Sequence, residues 1–172
     1  KGLRINFGAS AEYAHYRNST YRLLFTPMGS DTLNYETNLK LGKFGFYGQL
    51  SNAWLDQRLR LSLGLRTDIN TYSSSMSNPL QQLSPRFSAS YILTDKLNLN
   101  FNIGRYYQLP PYTALGYSNG TGEYLNKNTN LKYISADHFV GGIEIIPIEN
   151  AQFTVEGFYK NYSRYPFSVR DS

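Results

Sequence analysis

The 172-residue sequence predicts an all-β fold, an antiparallel up-and-down meander of about seven strands that forms a segment of a transmembrane β-barrel. Three observations predict it. Apolar and polar residues alternate with period two again and again, and helical spacing is nowhere sustained. Short and long connections follow each other in turn, so all short turns fall at one end of the meander and all long loops at the other. The mean hydropathy is −0.46 with only 17% charged residues. That is the average expected of strands with one lipid face and one wet face.

In the first strand Leu3, Ile5, Phe7, Ala9, Ala11 and Tyr13 oppose Arg4, Asn6, Ser10 and Glu12. In the second, Phe44, Phe46, Leu50 and Trp54 oppose Lys43, Gly45, Gln49 and Ser51. The third sets Leu59, Leu61, Leu63, Leu65 and Ile69 against Arg60, Ser62, Gly64, Arg66 and Asp68. Phe87, Ala89, Tyr91 and Leu93 then alternate with Arg86, Ser88 and Ser90. Leu97, Leu99, Phe101 and Ile103 alternate with Asn98, Asn100, Asn102 and Gly104. The last two strands set Phe139, Ile143 and Ile145 against His138 and Glu144, and Phe153, Val155 and Tyr159 against Gln152, Thr154, Glu156 and Lys160. Stretches 44–54 and 59–69 are each about 11 residues long, which suits a tilted membrane strand.

The short turns are Leu55-Asp56-Gln57, Thr94-Asp95-Lys96 and residues 147–150; the long polar segments are 18–42, 73–84 and 108–136. Within 18–42, residues 21–26 can extend strand pairing upward. Apolar side chains are expected to face lipid and polar ones a lumen. Trp54 and Phe153 lie beside short turns, while Tyr13, Phe44, Phe46, Tyr72, Tyr106, Tyr107 and Tyr159 lie toward the long loops, as two aromatic girdles require. An odd strand number and two bare edges point to one partial barrel domain, residues 1–172, within a larger barrel. The isolated piece is expected to self-associate or close on other chains.

Composition excludes other classes. Without cysteine there is neither a disulfide scaffold nor a thiolate-ligated metal site. Sixteen Tyr and ten Phe with few charges argue against disorder. The net charge of +5 is dispersed, so no nucleic-acid patch is expected.

The stretch LSPRFSASYILTDKLNLNFNIGRYYQLPPYTAL (83–115) follows YGQLSNAWLDQRLRLSLGLRTDINTY (47–72) and precedes HFVGGIEIIPIENAQFTVEGFYKNYSRYP (138–166). This ordered series resembles the barrel of a TonB-dependent outer-membrane receptor of the Bacteroidetes type, in its C-terminal part. The resemblance implies a barrel of about 22 strands in the bacterial outer membrane, plugged by an N-terminal domain. It also implies import of a scarce ligand of the siderophore, cobalamin or glycan class, powered through TonB. No plug, TonB box or terminal strand is legible here, so the chain is expected to supply barrel wall and external loops. The rival readings are a passive porin-type barrel segment and a soluble β-sandwich that binds glycans.

Chemistry candidates are few. Residues 116–120 match the G-x-S-x-G nucleophile pattern around Ser118, but a Gly-rich loop follows where a helix is needed, and an external loop is the expected reading. Asp137 and His138 are adjacent on one strand and point to opposite faces, so they make no triad. His15 and His138 lack metal-ligand spacing. The inward charges Arg66, Asp68, Arg86, Glu144, Glu156 and Lys160 are expected to pair across strands or meet a plug. No enzyme activity, metal or cofactor is expected. Tyr106, Tyr107, Gln108, Tyr112, Tyr117, Asn119 and Tyr124, around Pro110-Pro111, are the candidate ligand-binding residues. Tyr stacks on flat ligands and sugars and also hydrogen-bonds through its hydroxyl. Lys40, Lys43, Lys127, Lys132, Lys160 and Arg164 lie near the long loops, within reach of outer-membrane lipid and lipopolysaccharide phosphates.

Overall fold

The computed structural model describes residues 2–27, 29–118, 123–129 and 131–166. Its strands are β1 (Arg4–Thr26), β2 (Gly29–Trp54), β3 (Leu59–Asn70), β4 (Ser84–Thr94), β5 (Leu97–Gln108), β6 (Ile134–Ile148) and β7 (Ala151–Ser163). They form one sheet in sequence order. Every neighbouring pair is antiparallel.

The registers carry the two faces across the whole sheet. Ile5, Leu50, Leu63, Phe87, Ile103, Phe139 and Tyr159 are successive cross-strand partners and make one continuous apolar row. One residue along, Asn6, Gln49, Gly64, Arg86, Gly104, His138 and Lys160 make a polar row on the other face. A slip of one residue at any pair would exchange the faces, so the alternation itself fixes the register. The apolar face is bare: Phe7 is 82% exposed, Leu63 60% and Val155 70%. A continuous apolar surface of this kind needs a nonpolar environment. The polar face curls inward, because Arg4 of β1 and Glu156 of β7 line the same concavity of about 720 Å³.

Irregularities collect at the short turns. Leu55, Asp56 and Gln57 all have positive φ, at 54°, 53° and 74°. Register shifts sit between Ile92 and Thr94 and between Ile145 and Ile148, beside the other two turns. Bulges there let the strands twist and close at a barrel rim.

The opposite end differs from expectation. Residues 18–42 are not a long loop. β1 and β2 run through them as a continuous ladder from Arg4↔Ser51 to Thr26↔Gly29. These two strands have 23 and 26 residues, against 11 to 15 in the others. Among the described residues, the other two long segments hold single helical turns: α1 (Ser74–Ser77), a 3-10 turn (Pro79–Gln82), α2 (Tyr112–Leu115) and α3 (Leu125–Asn128). Ser73 caps α1, its hydroxyl accepting from the Met76 amide. These turns fold onto the inner face of the tall hairpin. Leu39, Leu41, Tyr72, Met76, Leu115 and Tyr133 form the buried cluster there, with Tyr16, Tyr112 and Tyr124 packed around it.

Candidate functional site

The inner wall and this loop cap together make the candidate ligand-handling region. The wall is polar because every second residue of each strand points into it. Gln49 donates to the Ser62 hydroxyl at 2.6 Å, and Ser62 also bonds Ser51 at 2.8 Å. Asn98 donates to Glu144 at 2.8 Å. Arg66 grips Asp68 with two bonds of 2.7 and 2.6 Å. Lys43 meets Glu12 at 2.6 Å and donates to the Tyr112 hydroxyl at 3.0 Å. The inner acids Glu12, Asp68 and Glu144 are thus matched within the sheet, but Arg66 and Asp68 pair along one strand rather than across strands, and Glu144 meets the neutral Asn98.

Glycines keep this wall low. A Cβ on Gly45 would meet Asp68 and Ser10 oxygens at 2.8 Å. One on Gly104 would meet the Tyr106 ring at 3.1 Å and Arg86 at 3.3 Å. Large side chains therefore lie flat in sockets that only glycine leaves open, and the lumen stays free for another body. Tyr106 is held this way, with the Arg86 guanidinium 4.4 Å from its ring centroid and the His138 ring at 4.6 Å.

The cap is tied to the hairpin by backbone carbonyls. Thr37 donates to Gly116 O at 2.7 Å, and Tyr124 to Asn38 O at 2.7 Å. Tyr72 donates to Leu115 O at 2.7 Å, and the Asn70 amide to the Tyr133 hydroxyl at 2.9 Å. Burial pushes the Tyr72 phenol up to about 12, with the nearby Tyr124 adding to it. Burial also raises Tyr133, against the opposing bond from Asn70.

The candidate ligand residues do not share one surface. Tyr106 belongs to the inner wall rather than to the outer girdle. Tyr107 packs beside the buried cluster. Gln108 ends β5 opposite Ile134 and is exposed. Tyr112 stacks on Tyr16 at 5.5 Å and Tyr117 meets Tyr35 edge-on at 5.3 Å. Tyr124 spends its hydroxyl on Asn38. Asn119 lies outside the described residues. Tyr72 is buried in the cluster rather than placed in a girdle. The partners Tyr35 and Thr37 lie inside the 18–42 segment expected to be a loop, and Tyr16 lies just before it. Their only signal is the Thr37, Leu39, Leu41 alternation.

The other motifs have structural settings. Ser118 is buried and donates to Glu36 O at 3.4 Å, and it forms an isolated bridge with Tyr124; Gly120 lies outside the described residues. Among the described residues no group of three or more His, Asp or Glu side chains could hold a metal ion. No helix of the described residues is long and apolar enough to cross a membrane, which says nothing of a β-barrel.

A family model described as "TonB dependent receptor-like, beta-barrel" matches residues 1–172. No curated protein matches the chain, and no solved structure does.

Proposed function

The chain belongs to the TonB-dependent receptor β-barrel family, and from that premise we propose that it forms the wall and external mouth of a barrel importing a scarce ligand of the siderophore, cobalamin or glycan class. It is a barrel segment of an outer-membrane receptor or transporter. The observation that carries the reading is the division of faces. A bare apolar row runs across all the strands, a polar wall lies behind it, and the ordered loops are gathered at one end. The apolar row suits lipid, the polar wall suits a plug domain, and the cap suits capture of a ligand from outside. The family implies a plug in the lumen and TonB as energy source. We assign residues 1–172 to part of such a barrel rather than to the whole.

Labelling of the full-length receptor tests the orientation. Cysteines at Leu61, Leu63, Leu99 and Phe101 should react with a lipid-phase reagent, and those at Ser62, Asn98 and Asn100 should not. The reverse pattern overturns the reading. Uptake assays with ferric siderophores, cobalamin and oligosaccharides then test transport. Import of one of them should stop when the proton-motive force is dissipated. Import that continues identifies a passive pore instead.

A further inference from the structure

We propose that the inner wall just below the mouth, on β4–β7, binds an anionic ligand with an aromatic body, such as a ferric complex held by catecholate groups. The proposal rests on the import reading above and selects one ligand chemistry within it. Arg86, Gly104, His138 and Lys160 are successive cross-strand partners on the inward parity. They lie two to four residues inside the loop-side ends of their strands, Ser84, Gln108, Ile134 and Ser163. A ligand entering from outside meets this row directly beneath the ordered loops.

The row sets charge beside rings. Tyr106 folds over Gly104 and is flanked from the two neighbouring strands, by the Arg86 guanidinium at 4.4 Å and the His138 ring at 4.6 Å from its centroid. Its faces are occupied, so it spaces Arg86 and His138 rather than stacking on a ligand. The open ring is Phe158, 71% exposed, with the Lys160 ammonium 5.1 Å from its centroid. Tyr162, one inward step above Lys160, stands edge-on to His138 at 6.4 Å.

Two features of this surface require a partner. The first is apolar. On the inward parity, residues 62–68 of β3, 86–90 of β4 and 98–104 of β5 are all polar or glycine. β6 and β7 break that rule at the cross-strand partners Val140 and Phe158. A large ring turned into a wet lumen costs free energy until an apolar body covers it. The second is charge. Among the described residues no carboxylate lies within ion-pair distance of Arg86 or Lys160. The inward acids are engaged elsewhere: Glu12 by Lys43, Asp68 by Arg66 and Glu144 by Asn98. Glu156 is four residues below Lys160, about 13 Å along the strand, and lies against Gly142 in the lower concavity. Asp137 faces outward and is held by Arg105 through bonds of 2.6 and 2.8 Å. Lys160 thus points into this site rather than toward lipopolysaccharide, and Lys43 likewise turns inward. An anion supplies the missing charge and its aromatic body covers Phe158, whereas an uncharged sugar leaves both cations unmatched.

The test measures binding of ferric probes to the full-length receptor in detergent micelles. The ferric complex of a synthetic tris-catecholamide is anionic and aromatic. Ferric EDTA is anionic without rings, and a ferric tris-hydroxamate is neutral. The native receptor should bind the catecholamide complex about tenfold or more tightly than either of the others. Arg86→Gln with Lys160→Gln should remove the preference over the hydroxamate, and Arg86→Lys with Lys160→Arg should keep it. Phe158→Ala should remove the preference over ferric EDTA. A native receptor without preference overturns the proposal. An unchanged preference in the Gln variant also overturns it and assigns the two cations to the plug. Cysteine labelling at Leu61 and Ser62 is read in the same samples. A normal pattern without preference refutes this site alone, whereas a reversed pattern refutes the membrane reading beneath it.

Discussion

Leu115 is the residue whose loss should open the loop cap while leaving the barrel wall intact. Its side chain is 0% exposed and packs in the cluster with Leu39, Leu41, Tyr72, Met76 and Tyr133. Leu115→Ala removes buried methyl groups and leaves a cavity that the neighbouring rings cannot fully close, which costs about 3 kcal/mol. None of these residues faces lipid, so the loss falls on docking of the loops onto the hairpin. An opening equilibrium weakened by about 3 kcal/mol rises roughly a hundredfold. Hydrogen exchange of the full-length receptor should then speed by about that factor at the amides of α1 and α2. The β4–β5 ladder, which shares no member of the cluster, should keep its native protection. Unchanged exchange in the cap would show that the cluster does not hold it. Equal acceleration in β4 and β5 would show that cap and wall unfold as one unit.

Two further outcomes bear on the same cap. A Cβ added at Gly116 would clash with the Thr37 methyl, so Gly116→Ala should detach the loop at a cost of about 1–3 kcal/mol. Thr37→Ser deletes that methyl but keeps the hydroxyl bound to Gly116 O, so the double variant should recover most of the loss in the same exchange assay. Tyr72, raised to about 12, resists ionisation only while the cap is closed. Its contribution is complete below about pH 10 and is lost as pH rises through 12, because the opened form releases the proton first. The difference in tyrosinate absorbance between native receptor and Tyr72→Phe should titrate near 12, and a midpoint near 10 would place the phenol in water.

Strand order was legible because each wall strand stands between two different solvents. Leu59 to Leu65 and Leu97 to Ile103 must alternate to satisfy lipid and water together, and the observed partners follow. The cap was not legible. The motif Tyr112-x4-Tyr117 reads equally well as a ligand surface or as packing, since a phenol serves both. Only the three-dimensional return of that loop onto Tyr16 and Tyr35 separates the two. The short helical turns also lack the length for a periodic signal, since α1, α2 and α3 have four residues each.

The tall hairpin escaped sequence reading for a different physical reason, and that reason locates the membrane. In the wall part of β2 the apolar residues are Phe44 and Phe46, on the outward parity. Beyond it they are Leu39 and Leu41, on the inward parity, with Asn38 and Lys40 turned out. The strand does not break; its environment inverts. Below, lipid is outside and the wet lumen inside. Above, His15, Arg17, Asn38 and Lys40 are outside and the apolar cap inside, and farther up β1 the exposed Tyr21, Leu23 and Phe25 return to the outward parity. A search for one unbroken alternation therefore reads the inversion as the end of the strand. β1 does the same, from outward Tyr13 to inward Ala14 and Tyr16. Both strands switch across the Tyr13↔Gly42 pair, at one height. A slip caused by a bulge would shift one strand against its partner, whereas here the register runs on without interruption from Arg4↔Ser51 to Thr26↔Gly29. The phase change is thus a property of the surroundings rather than of the backbone. On the proposed barrel reading, the outer edge of the hydrocarbon layer would cross β1 and β2 at this level, directly beneath His15, Arg17 and Lys40.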